Sequence, residues 1–236
     1  NMFEVMKGLS VEDQAIVRRA LVRYTTEALN NSYLAEPKAL VKFIEDEKLL
    51  ENCSALVDLG AGPGNLLEAL APKYPTKSMR GVDLSPGFVQ SFNRRDGAVE
   101  NAMMRTGLID APLEEEILGK PSTSSVISVL TLDRLTNPRG LVRNMARFSR
   151  AKILATLLPV IPEDDNPSRQ RENVKIVYTR EPNRIVPGRT IEEDREILRL
   201  FVMDAWERPV DIANVDYAVT SAGDRQQYDL AVFYSR

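Results

Sequence analysis

The segment Val57-Asp58-Leu59-Gly60-Ala61-Gly62-Pro63-Gly64 constrains this chain more than any other. A short apolar run, Ala55 to Leu59, ends in alternating glycines, and Asn65 to Leu70 follows with its leucines at helical spacing. Glycine admits the backbone angles of a tight strand-to-helix turn and lets a ligand come close to the main chain. The helix that follows presents unpaired N–H groups and a positive dipole end. The turn therefore predicts a strand–turn–helix unit of the kind that opens nucleotide-binding α/β domains.

The rest of the chain repeats that alternation. Met79 to Leu84 is a second strand, with a helix from Phe88 to Arg95. Met103 to Ile109 is a weaker third, and Ser125 to Leu132 a clear fourth, followed by a helix from Leu141 to Arg147. Lys152 to Val160 is nearly all apolar, as a strand buried on both faces should be. Strands alternating with helices predict an α/β fold with a parallel, doubly covered sheet. Ahead of this lie two expected helices, Val11 to Leu29 and Lys38 to Leu50, parted at Asn30-Asn31-Ser32. Residues 161–190 interrupt the rhythm with Pro, Asp, Asn and Arg around a short candidate strand, Val174 to Tyr178. A helix from Ile191 to Val202 and two strands, Asp216 to Thr220 and Tyr228 to Tyr234, read as a closing helix and antiparallel hairpin.

Composition narrows the chemistry. The 236 residues suit a single domain, and a net charge of −3 offers no basic footprint for a phosphate backbone. A small-molecule partner is expected, with no nucleic acid, no membrane and no metal; the sequence leaves the oligomeric state open. Cys53 is the lone cysteine, and neither a signal-like opening nor a run of eighteen apolar residues occurs, so a cytoplasmic setting is expected. The chain contains no histidine. That removes the commonest general base and with it Ser-His hydrolysis and His-ligated zinc chemistry.

Asp58 lies in the first strand, two residues ahead of Gly60. A fixed anion there is awkward for a pyrophosphate and suits a ligand carrying positive charge. A dinucleotide fingerprint would also place a third glycine where Asn65 stands, so both features count against NAD(P). Asp83 ends the second strand, about twenty residues after the turn, where a doubly wound fold sets an acid against ribose hydroxyls. Leu84 is placed to lie on an adenine face. Asp83 could equally cap the next helix. Asp110 follows the third strand; its carboxylate could accept from an adenine amino group and the Ala111 N–H could meet a ring nitrogen, although Asp-Ala-Pro is also ordinary turn chemistry.

These three segments, in this order and spacing, resemble the class I S-adenosylmethionine-dependent methyltransferases of small-molecule type. The family's glycine-rich motif matches Asp58 to Gly64, its ribose acid Asp83 and its adenine-side acid Asp110. The resemblance implies a Rossmann-like, doubly wound, seven-stranded, mostly parallel sheet. It implies S-adenosyl-L-methionine as cofactor, with S-adenosyl-L-homocysteine as product. Asp58, Gly60, Ala61, Gly62, Gly64, Asp83, Leu84, Asp110 and Ala111 would bind it. Residues 1–236 would form one methyltransferase domain: a helical lid (1–50), a donor-binding half (51–160), an insert after strand five (161–190), and a closing helix and hairpin (191–236). Many relatives carry histidine near the end of strand four; here Asp133 stands there, either as a base or as a cap for the helix opening near Asn137-Pro138. The expected reaction is O-methylation of a hydroxyl or carboxylate on a small organic molecule, natural-product intermediates among the candidates. N- or C-methylation, or from a different class NAD(P)-dependent oxidation, are the rivals.

Other residues have plainer readings beside functional ones. Trp206, Tyr24 and Tyr33 could wall a pocket or simply fill the core. Arg180, Arg184 and Arg189 could grip a substrate carboxylate or lie in a solvated loop. Glu163-Asp164-Asp165 could form an acidic lip over the crevice or a polar loop.

Overall fold

The computed structural model describes residues 10–12, 14, 15, 18, 19, 22, 33–95, 99–132, 135, 137–157, 191–221 and 224–236. Eight strands form one sheet: β1 (Tyr33–Glu36), β2 (Ala55–Leu59), β3 (Ser78–Asp83), β4 (Ala102–Thr106), β5 (Ser124–Val129), β6 (Lys152–Thr156), β7 (Asp211–Ser221) and β8 (Asp224–Ser235). Their spatial order is β1-β7-β8-β6-β5-β2-β3-β4. Strands β2 to β6 run parallel. The β7–β8 hairpin joins antiparallel to β6 through β8, and β1 closes the edge on β7.

The expected seven strands are thus eight. The addition is β1, which lies between the expected helix break at Asn30-Asn31-Ser32 and the second expected helix. It pairs Tyr33–Glu36 with the far end of β7, and Arg225 on β8 grips Glu36 with two hydrogen bonds of 2.8 and 2.9 Å. The hairpin is also longer than its apolar residues announce, spanning 11 and 12 residues in its two arms. Elsewhere β2 and the helix after it keep their expected bounds, and the other parallel strands start within about a residue of theirs.

Six α-helices have both ends described: α1 (Lys38–Asp46), α2 (Asn65–Leu70), α3 (Pro86–Asn93), α4 (Glu115–Leu118), α5 (Pro138–Ala146) and α6 (Ile191–Trp206); the described residues between 11 and 22 are helical as well. Side chains alternate across the sheet at the two-residue period of a strand. Leu56, Ile153, Ala155, Leu230 and Val232 face one core with α1, α2 and α3. Val57, Leu59, Leu154, Ala231 and Phe233 face a second with α4, α5 and α6. Both faces are therefore covered, which is why β2 and β6 are buried at every position.

The chain passes from β2 outward to β3 and β4, then returns across β2 to β5 and β6. That reversal makes a topological switch point at the carboxyl ends of β2 and β5, where doubly wound sheets open a crevice for ligands. No helix among the described residues is long and apolar enough to cross a membrane.

Candidate functional site

The carboxyl ends of β2, β3 and β5 carry the expected residues together. Gly60, Gly62 and Gly64 all have positive φ, at 86°, 55° and 85°. Two of them are also sterically fixed. A Cβ on Gly60 would meet Thr131 Oγ1 at 2.4 Å, and one on Gly64 would meet the Phe92 ring at 2.2 Å. Gly62 differs: a Cβ there would meet nothing within 4 Å. Its conformation is special, yet the space beside it is open, as a turn that admits a ligand requires.

Asp83, at the end of β3, closes this turn. One carboxylate oxygen accepts from the Gly62 N–H at 2.8 Å and the other from the Ser85 N–H at 2.8 Å. Asp83 does not cap α3. Ser85 does, its hydroxyl accepting from the Phe88 N–H at 3.3 Å, with Pro86 in the first helical turn. Leu84 is half-exposed beside it.

Asp58 sits one strand away, 2% exposed, with Oδ1 making no hydrogen bond. Burial, and secondarily the Asp83 charge, push its pKa up to about 8. A buried acid held protonated in this way ionises readily only against a cation.

Asp110 and Ala111 lie in the loop after β4, fastened to α5. The Asn137 N–H donates to Asp110 Oδ2 and the Asn137 amide to the Asp110 carbonyl, both at 3.1 Å. Asn144, buried within α5, donates to the carbonyls of Ile109 and Ala111 at 2.8 and 2.7 Å. Arg147 reaches the Leu113 carbonyl from the same helix. Asp110 is thus buried and held against a helix end; Ala111 stays half-exposed. The cap position of α5 is filled by Asn137, whose side chain accepts from the Gly140 N–H. Asp133 lies outside the described residues. Asn137, Asn144 and Ser85 were not singled out in the sequence. Only the Asn-Pro dipeptide ahead of α5 hinted at one of them.

Leu130, just past β5, carries a positive φ of 51°. A non-glycine residue held there is strained. It sets Thr131 over Gly60, with the Thr131 hydroxyl 2.9 Å from the Val129 carbonyl. Trp206 is core rather than pocket wall: it is 3% exposed in the second core, its indole N–H unpartnered. Tyr24, the Tyr33 side chain, Arg180, Arg184, Arg189 and Glu163-Asp164-Asp165 lie outside the described residues, as does the candidate strand Val174 to Tyr178.

Residues 57–152 match the family model described as a methyltransferase domain. Two curated relatives match parts of the chain. Trans-aconitate 2-methyltransferase of Methylobacterium nodulans is 48% identical over 40 residues, covering 17% of this chain and 16% of that protein. The enzyme of the same name from Paracidovorax citrulli is 37% identical over 73 residues, covering 26% and 28%. The matches thus span less than a third of either relative. Among solved structures, the N-terminal domain of EvdMO1 with SAH bound superposes with a TM-score of 0.55 at 17% identity, covering 85% of this chain and 81% of that one. A SAM-dependent methyltransferase from Aquifex aeolicus gives 0.51 at 13%, covering 89% and 96%. The fold is the one shared by these solved structures, and residues 57–152 are the part of the chain that matches the methyltransferase-domain model.

Proposed function

We propose that this chain binds S-adenosylmethionine on the Gly60–Gly64 turn and transfers its methyl group to an oxygen of a small carboxylic acid. The observation that carries the donor assignment is Asp58, a buried acid whose Oδ1 lacks any partner among the described residues, beside an open glycine turn. S-adenosylmethionine brings an ammonium group and supplies a methyl carbon on a sulfonium, a leaving group already activated by its charge. Asp58 takes the ammonium, and the backbone at Gly62 leaves room for the chain between them. Asp83 faces the ribose hydroxyls while holding the Gly62 N–H, so sugar recognition and turn geometry share one side chain. Leu84 lies on one adenine face, and the Asp110–Ala111 loop, held by α5, faces the ring's polar edge. Gly60, Ala61 and Gly64 shape the turn.

The names of the two curated relatives support a carboxylate acceptor. So does the absence of histidine. A carboxylate is ionised at neutral pH and attacks without a base, so the protein's task is in-line placement with water excluded. On this reading Asp133→Asn retains most of kcat, and kcat shows no acidic limb from a protein base between pH 6 and 8. A neutral hydroxyl acceptor relying on Asp133 would instead lose about 100- to 10,000-fold in that variant.

Calorimetry tests the donor. S-adenosylhomocysteine should bind and NAD should not; tight NAD binding with no response to S-adenosylhomocysteine defeats the proposal. Asp83→Asn keeps an acceptor for the Gly62 N–H but removes the charge. It should weaken S-adenosylhomocysteine binding by about 1.5–3 kcal/mol, roughly ten- to a hundredfold. Unchanged affinity in a folded variant would make Asp83 a turn clamp only.

A further inference from the structure

We infer that Lys152, Ser235 and Arg208 form a binding site for a small oxyanion, a phosphate or a carboxylate, at the sheet edge opposite the glycine turn. Lys152 opens β6 and is 1% exposed. In the antiparallel ladder it stands directly opposite Ser235 of β8. Residues so paired project to the same face, with Cβ atoms about 5 Å apart. The next pair on that face, Leu154 and Phe233, belongs to the second core, so Lys152 and Ser235 sit at that core's rim. Arg208, in the connection from α6 to β7, donates through Nη1 to the Arg236 carbonyl at 3.4 Å, one residue beyond Ser235. That bond brings a guanidinium to the same corner.

What Lys152 and Ser235 lack, among the described residues, is an acceptor. The Ser235 hydroxyl is buried without a hydrogen bond. Lys152 Nζ has no carboxylate at ion-pair distance and no hydrogen-bond acceptor among the described residues. Buried lysines are ordinarily paired, because an unpaired ammonium out of water is expensive. Here Ser235, its hydroxyl unpartnered among the described residues, stands opposite Lys152 in the ladder, and Arg208 is near enough for its charge to act on the ammonium. A lysine, a guanidinium with donors to spare and a serine hydroxyl are the inventory that grips an oxyanion. The same surroundings, burial first and then the Arg208 charge, hold the Lys152 pKa down to about 8; an anion between the two cations would raise it again. The corner lies at the amino end of β6, whereas the glycine turn follows the carboxyl end of β2, and these strands run in one direction. It is a second site.

Titration with inorganic phosphate and, separately, acetate, at an ionic strength fixed by chloride, tests this by thermal shift and calorimetry. At least one of the two should raise Tm in a saturable way that chloride does not reproduce. Phosphate alone marks a phosphate-type ligand, and acetate alone a carboxylate. Lys152→Met keeps the side-chain volume and removes the charge, and should weaken the effective anion at least tenfold. Arg208→Gln, on a partly exposed residue, should do the same and carries the test if Lys152→Met does not fold. S-adenosylhomocysteine affinity should be unchanged in both. Equal responses to phosphate, acetate and chloride in the wild type, or saturable binding that survives both substitutions, would overturn the inference.

Discussion

Asp58→Asn is expected to make the ligand-free protein more stable in mild alkali and, in the same molecule, to weaken donor binding by roughly thirtyfold or more. The two effects have one source. Asp58 is buried beside Asp83 with an unpartnered oxygen, and its pKa stands at about 8, against 3.8 for a free aspartate. Between those values the folded chain keeps the Asp58 proton while the unfolded chain has released it. Stability contributed by the protonated form is thus complete below about pH 4 and drains away as pH rises towards 8, at up to about 1.4 kcal/mol per pH unit for one such group. Asparagine is neutral throughout. Melting curves of variant and wild type should therefore lie close at pH 5 and separate by pH 8, with the variant higher. Binding runs the other way. An ammonium placed against Asp58 stabilises the carboxylate, so S-adenosylhomocysteine should drive proton release near neutral pH, visible as a buffer-dependent binding enthalpy. Removing one partner of such a buried charged pair costs about 2–5 kcal/mol of affinity. Equal destabilisation of the variant at every pH, with affinity unchanged, would show Asp58 to be a structural acid.

The strand–turn–helix unit could be read in the sequence because each of its signals is local. Leu56, Val57 and Leu59 are apolar where a buried strand needs them, the glycines mark the turn, and Leu66, Leu67 and Leu70 follow at helical spacing. What was not legible depends on partners far along the chain. Tyr33-Leu34-Ala35-Glu36 has no strand pattern of its own; its ladder is supplied by Ala218 to Ser221. The outer hairpin is rich in polar residues such as Arg225, Gln226 and Gln227, so its apolar signal stops short of its hydrogen bonds. In the candidate site, Asp58 and Asp83 announced themselves as acids in apolar strands. Asn144 did not. Its partners are main-chain carbonyls, and an asparagine on a helix gives no sign of which backbone it will meet. Gly140 gave no sign either, because what demands a glycine there is a loop 30 residues upstream.

Gly140→Ala should be among the most damaging single-methyl additions to this fold. Gly140 lies in the first turn of α5, and a Cβ there would stand 1.8 Å from the Asp110 carbonyl oxygen and 2.6 Å from its carbonyl carbon. These are backbone atoms, so no side-chain rotation relieves the overlap. Either α5 must tilt off the sheet or the Asp110 loop must move. The first opens the second core around Leu141 and Met145; the second breaks the Asn137 and Asn144 bonds that fix that loop. Either response should cost about 2–4 kcal/mol, a fall in Tm of roughly 5–12 °C for a chain of this size. Gly62→Ala is the informative contrast. An added methyl at Gly62 meets no atom of the described residues within 4 Å, so stability should drop only by the backbone term of about 1–2 kcal/mol for a non-glycine residue at positive φ. The space it fills is the one assigned to the donor, so S-adenosylhomocysteine binding should fall sharply in Gly62→Ala. In Gly140→Ala the main loss is in Tm, and whatever folded protein remains should still bind. A Gly140→Ala protein with wild-type Tm would mean that α5 is free to slide, and the clamp on the Asp110 loop would no longer account for its position.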